Sequence, residues 1–114
     1  MKVRLRGRPR RPGEGMNKLE AEYSRELETA KQTGLILWWA YEAIKFRLAD
    51  RTFYTPDFIV MRCDGEMQAH EVKGFWEDDA RVKIKVAAEL FPLPFVAVMK
   101  RKGQWVNEWF GTEE

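Results

Sequence analysis

Residues 55–74 read TPDFIVMRCDGEMQAHEVKG, and the pairing within this stretch decides the fold. Two apolar runs flank Cys63-Asp64-Gly65, the pattern of a β-hairpin. Asp57 enters the first run behind Pro56, and Glu71 and Lys73 stand two apart in the second. Residues two apart in a strand share a face. Glu71 and Lys73 therefore point one way, His70, Val72 and Gly74 the other, and Asp57 shares its face with Ile59 and Met61. The turn determines whether Asp57 meets Glu71. A two-residue type I′ turn over Asp64-Gly65 pairs Asp57 with Val72 and separates the acids. A three-residue turn, Cys63-Asp64-Gly65 with Gly65 left-handed in a G1 bulge, pairs Asp57 with Glu71. Asp-Gly suits either turn.

Upstream, Met16, Leu19, Tyr23, Leu27 and Ala30 recur at helical spacing, which predicts a helix from Asn17 to about Lys31, before Gly34. Asn17 is a good N-cap, and Glu20 follows at the spacing of a capping box. The run LILWWAYEAIKFRLADRTFYTPDFIVM (35–61) reads as strands near 36–42, 44–48 and 54–62, with Ala49-Asp50-Arg51 as a turn. QAHEVKG (68–74) is a fourth. EDDARVKIKVAAELF (77–91) predicts a helix with three acids at its positive end and Pro92 just beyond it. FVAVMK (95–100) and QWVNEWF (104–110) close the list as a buried strand and an alternating one. This order predicts an α/β (α+β) fold: one mixed sheet flanked by helices.

A chain of 114 residues with 45% hydrophobic and 33% charged content makes one globular domain. No apolar run reaches the ~20 residues needed to span a bilayer, so no membrane partner is expected. The basic start lacks the apolar segment of a secretory signal. Cys63 is the only cysteine and His70 the only histidine, which excludes an internal disulfide and argues against zinc. A cytoplasmic setting follows as an expectation.

Charge is unevenly placed. The net value is +2, yet Lys2, Arg4, Arg6, Arg8, Arg10 and Arg11 fall in the first twelve residues with no acid. Residues 1–15 therefore read as a basic, Arg/Pro/Gly-rich arm, extended or mobile, preceding a domain over 16–114. Arg6-Gly7-Arg8-Pro9-Arg10-Arg11-Pro12 resembles an AT-hook, whose Gly-Arg-Pro centre lies in the narrow minor groove of A·T-rich DNA. The plainer reading is a solvated arm that touches phosphates. Either way, DNA is the expected partner, bound in a salt-dependent manner.

If the hairpin adopts the second register, two carboxylates face each other with an ammonium beside them. Their repulsion disfavours that arrangement unless a cation lies between them. Oxygen donors of this kind suit Mg²⁺ or Mn²⁺. Pro56-Asp57 followed across a hairpin by Glu71-Val72-Lys73 resembles the PD-(D/E)XK nuclease superfamily, and residues 16–100 are similar in layout to its small phage and prophage members and to its Holliday-junction resolvases. The resemblance implies a restriction-endonuclease-like αβββαβ core and metal-dependent cleavage of DNA, on branched or junction substrates in phage replication or recombination, within the host bacterial cytoplasm. It implies Asp57, Glu71 and the Val72 carbonyl as metal ligands, Lys73 as the catalytic lysine, and Glu20 as a further acid. Junction cleavage implies a homodimer. A catalytically inactive DNA-binding module of the same fold is the alternative, and a protein-interaction domain with surface acids is a second.

Bland roles compete for each residue. Glu20 is fully explained by helix capping, Asp57 by strand entry, and Glu71 with Lys73 by a solvated sheet face. Glu42, between Tyr41 and Ala43 on the first strand, reads as structural, and His70 as packed or hydrogen-bonded. Arg81, Lys83 and Lys85 are candidates to hold phosphates, against an ordinary charged helix exterior. Trp76 is a candidate to stack on an opened base, against core or rim packing. Trp105 and Trp109 share a strand face suited to a subunit interface.

Overall fold

The computed structural model describes residues 3–5, 11–76 and 78–111, with 3–5 and 78 described by backbone alone. Among the described residues, two helices, α1 (Lys18–Gln32) and α2 (Asp78–Leu90), and eight strands follow in chain order: β1 (Val3–Leu5), β2 (Ile36–Tyr41), β3 (Ile44–Ala49), β4 (Thr52–Tyr54), β5 (Phe58–Arg62), β6 (Met67–Lys73), β7 (Phe95–Arg101) and β8 (Gln104–Phe110). Five strands form a mixed sheet in the order β2-β5-β6-β7-β8, in which only β6 and β7 run parallel, joined across by α2.

The hairpin takes the three-residue turn. Phe58 pairs with His70, Ile59 with Ala69, Val60 with Gln68 and Met61 with Met67. The Arg62 N–H donates to the Glu66 carbonyl at 2.8 Å, and the Gly65 N–H to the Arg62 carbonyl at 2.9 Å. Gly65 sits at φ +88°, the left-handed geometry this turn demands.

Two expectations need correction. The 54–62 run is not one strand: Pro56 has no N–H to give a ladder, and the chain breaks there into β4 and β5. Nor is there a single sheet. β3 leaves the main sheet and pairs with β4 and with β1, forming a second, three-stranded sheet. Val3–Leu5, read above as part of the extended or mobile arm, is thus a strand; Arg6, Arg8 and Arg10 lie outside the described residues.

Each face of the main sheet has its own core, as strand alternation requires. On one face, Phe58 is fully buried and meets Tyr23 of α1, Trp39 and Tyr41 with ring centroids 5.3–5.8 Å apart. Val60, Val72, Val96 and Val98 complete that layer, and Trp109 and Trp105 are partly buried against it. Trp105 packs edge-on against Tyr23 at 5.0 Å, so it is engaged within the fold. On the other face, Ile84 and Ala87 of α2 pack with Ile59, Ala69, Phe95 and Ala97, and Phe46 of the small sheet lies 4.7 Å from Phe91. The small sheet therefore shares a face with α2.

Helix α1 forms as its sequence dictates. The Glu20 N–H donates to Asn17 Oδ1 at 2.8 Å and the Asn17 N–H to Glu20 Oε1 at 3.1 Å, a complete capping box.

Two left-handed glycines separate backbone strain from crowding. Gly65 has open space where a Cβ would go, whereas at Gly111 (φ +89°) a Cβ would lie 2.9 Å from Ala88 Cβ on α2. Gly65→Ala is expected to cost about 1–2 kcal/mol, and Gly111→Ala more, because β8 must also move off α2. Urea unfolding midpoints of the two variants check this order; equal losses would refute it.

Candidate functional site

The register that Gly65 sets brings Asp57 to the end of β6. Asp57 lies one residue before β5, where backbone pairing has stopped, and its Oδ2 accepts the Val72 N–H at 2.8 Å. Its own carbonyl accepts the Glu42 N–H at 2.8 Å. Glu42 is not on β2, as the sequence suggested, but in the turn after it, at φ 49°. Its backbone thus anchors the Asp57 loop, a structural role.

Glu71 and Lys73 point to the α2 face with Ala69, as alternation predicts, and His70 and Val72 to the α1 face. Lys73 Nζ lies 3.2 Å from Glu71 Oε2, and both side chains are mostly buried. Tyr54 on β4 donates its hydroxyl to Glu71 Oε1 at 2.8 Å. Glu20 arrives from α1, and Tyr41 donates to its Oε1 at 2.7 Å. Glu20 is therefore both a capping residue and part of this constellation.

Asp57 registers the crowding of charge. Burial is the largest cause, and the Glu71 charge the next, of a pKa pushed up to about 9. The Val72 N–H opposes this, while Glu20 adds its charge and a hydrogen bond. Burial and the neighbouring acids thus favour the protonated form of Asp57 in the folded chain. The tyrosine hydroxyls are shifted upward too, Tyr41 and Tyr54 both by burial first and then by the acids they contact. They stay neutral donors.

The donor set suits a hard cation of the magnesium type. Among the described residues no three His, Cys, Asp or Glu side chains form a ready cage. Mg²⁺ does not require one: it keeps several waters and is commonly held by one or two carboxylates. Asp57, Glu71 and the Val72 carbonyl are oxygen donors of that kind, and a dication would offset both the burial and the Glu71 charge that favour the protonated form of Asp57.

His70 faces away from this group. Its Nε2 is 2.9 Å from Gln68 Oε1 and its Nδ1 2.6 Å from the Tyr23 hydroxyl. Gln68 Nε2 donates to Glu66, which leaves Gln68 Oε1 as an acceptor. His70 then carries its proton on Nε2 and accepts from Tyr23 at Nδ1. Burial lowers its pKa to about 4, so it is a neutral structural residue.

The basic and aromatic candidates are dispersed. Arg81 makes a bidentate pair with Glu108, its nearest contact 2.7 Å, and Trp76 donates to the same carboxylate at 3.2 Å. The Arg81 guanidinium lies 4.6 Å from the Trp76 ring centre, and Trp76 packs edge-on against Phe110. Both residues tie α2 to β8. Lys83 lies on α2 across a cleft from Glu71, and Lys85 is exposed. Arg4 lies on β1 and Arg11 is exposed, while Gly13 donates to Ser24 Oγ and fixes the start of the domain on α1. The tyrosines at 41 and 54 escaped the sequence reading. Their aromatic character signalled only strands, and their hydroxyl partners lie on other elements. No helix among the described residues is long and apolar enough to cross a membrane. No protein-family model, curated protein or solved structure matches the chain.

The Asp57 shift has a definite sign. In the folded chain Asp57 keeps its proton to about pH 9, against 3.8 as the ordinary value. Folding takes up a proton between these values, so this group lowers stability as pH rises through that window, by at most about 1.4 kcal/mol per pH unit. Asp57→Asn preserves an acceptor for Val72 and needs no proton. In chelator, its melting temperature is expected to exceed that of the wild type, with a gap that widens from pH 5 to pH 8. A gap that shrinks with pH would show the carboxylate to be ionised in the folded chain.

Proposed function

We propose that this chain is a metal-dependent DNA endonuclease of the PD-(D/E)XK type, with a restriction-endonuclease-like core. One observation carries the reading: Asp57, Glu71 and Glu20 arrive from three different elements at the end of one hairpin, with Lys73 3.2 Å from Glu71. Carboxylates assembled against their own repulsion mark functional sites more often than accidental ones. The mixed sheet, with β6 and β7 joined by α2, agrees with such a core but does not single it out.

In this proposal Asp57, Glu71 and the Val72 carbonyl hold Mg²⁺ or Mn²⁺, with Glu20 in support. The ion, when bound, supplies a Lewis acid that activates water and neutralises charge gathering on the phosphate. Lys73, steered by Glu71, orients the attacking water or stabilises the negative charge that develops on the phosphate oxygens. Tyr54 holds Glu71 from the other side, which limits its rotamers and keeps its second oxygen toward Lys73. Water attacks phosphorus and releases a proton to solvent, the bond to the leaving oxygen breaks, and that oxygen takes a proton from solvent. Lys83, Lys85 and the basic arm supply salt-dependent affinity for DNA. Cutting both strands of a junction requires two such sites, and hence a homodimer.

A catalytically inactive DNA-binding module is the second reading. It draws on the absence of a ready three-ligand cage among the described residues.

Four-way junction, flap, linear duplex and single-stranded DNA, each with Mg²⁺, Mn²⁺ or EDTA, distinguish the two. Cleavage is expected only with metal, and Asp57→Asn and Lys73→Ala are expected to lose about 100-fold or more. Divalent ions are also expected to raise the melting temperature of the wild type and not that of Asp57→Asn. Intact DNA on every substrate would sink the enzymatic reading, and equal cutting by the variants would sink the residue assignment.

A further inference from the structure

A cleft of about 370 Å³ opens beside Glu71, walled by Phe53, Tyr54 and Thr55 on one side and by Asp79, Ala80 and Lys83 of α2 on the other. That volume suits one small organic group and not the breadth of a duplex. Phe53 is 37% exposed while Tyr54 is buried, as strand alternation requires, and it is among the residues that wall the cleft. Lys45 braces this ring, its Nζ 4.4 Å from the centroid. Lys83 forms no ion pair among the described residues, unlike Arg81 two positions earlier. Glu71, which lines the cleft, is already partnered by Lys73 and Tyr54. An aromatic residue, a hydroxyl residue and a lysine with no ion pair among the described residues thus line one nucleotide-sized space that Glu71 also lines.

We propose that this cleft is a subsite for one unpaired nucleotide of the substrate strand, its base stacked on Phe53 and its phosphate held by Lys83. Inside a duplex both faces of a base are covered by its neighbours, so only an unpaired or flipped base can offer a face to Phe53. The subsite deepens the endonuclease reading, and it selects DNA with single-stranded character at the cut. It rests on that reading for its place beside the reacting phosphate, but its binding is measurable without cleavage.

The test is fluorescence anisotropy of a labelled oligonucleotide in EDTA, single-stranded or annealed into a blunt duplex, with the full chain. The wild type is expected to bind the single strand more tightly. Phe53→Ala is expected to weaken single-strand binding about 5- to 150-fold, the range of one aromatic stack, with little change on duplex. Phe53→Tyr should retain binding, and Lys83→Ala should reduce the slope of log affinity against log salt by about 0.7 on single strands. Circular dichroism verifies that each variant is folded. A folded Phe53→Ala that binds like wild type, or that loses equally on both substrates, overturns the subsite. If DNA is cut but Phe53→Ala is indifferent, the subsite fails and the nuclease stands. If single strands bind through Phe53 but nothing is cut, the nuclease fails and the subsite stands.

Discussion

The bond from the Val72 N–H to Asp57 Oδ2 is the constraint on which the rest of the site depends. Backbone pairing between β5 and β6 ends at Phe58 and His70. One step further a side chain takes over the ladder, because the chain has just passed Pro56. A buried N–H left unpaired costs about 1–3 kcal/mol, so Asp57 is held at this position even though its charge is unwelcome there. The same bond leaves the Val72 carbonyl, Glu71 and Asp57 grouped at one strand end. Lengthening or shortening the turn around Gly65 by one residue would move every β6 side chain to the opposite face. The acids would separate and Val72 would leave the aromatic core around Phe58. Core and site therefore depend on the same register.

Two tyrosines make this arrangement tolerable. Tyr54 and Tyr41 each give a hydroxyl proton to a carboxylate, at 2.8 and 2.7 Å. They come from different sheets, so the acids are braced from both the small sheet and the main one. This gives β3 and β4 a purpose beyond covering Phe95 and α2: they carry Tyr54 to Glu71 and Phe53 to the cleft beside it.

Much of this was legible in the sequence because it is local. Asn17 and Glu20 announced the start of α1, and the alternation of QAHEVK placed His70 opposite Glu71. Asp64-Gly65 announced a turn but not its length, since both turn types accept that pair. Tertiary partners were not legible. Nothing in IKFRLA tells which strand it joins, so the small sheet was missed. Arg81 and Trp76 looked free for DNA because Glu108, which occupies both, lies some thirty residues on. The break at Pro56 was available from its missing N–H, yet the surrounding aromatic run masked it.

Glu20 carries two duties on one oxygen. Oε1 receives the Asn17 N–H that closes the capping box and also the Tyr41 hydroxyl of the site. Any rotation of Glu20 toward another partner releases the Asn17 amide and loosens the first turn of α1. Amide hydrogen exchange at the start of this helix is therefore tied to any change in the partners of Glu20, so the helix end reports on a carboxylate of the site.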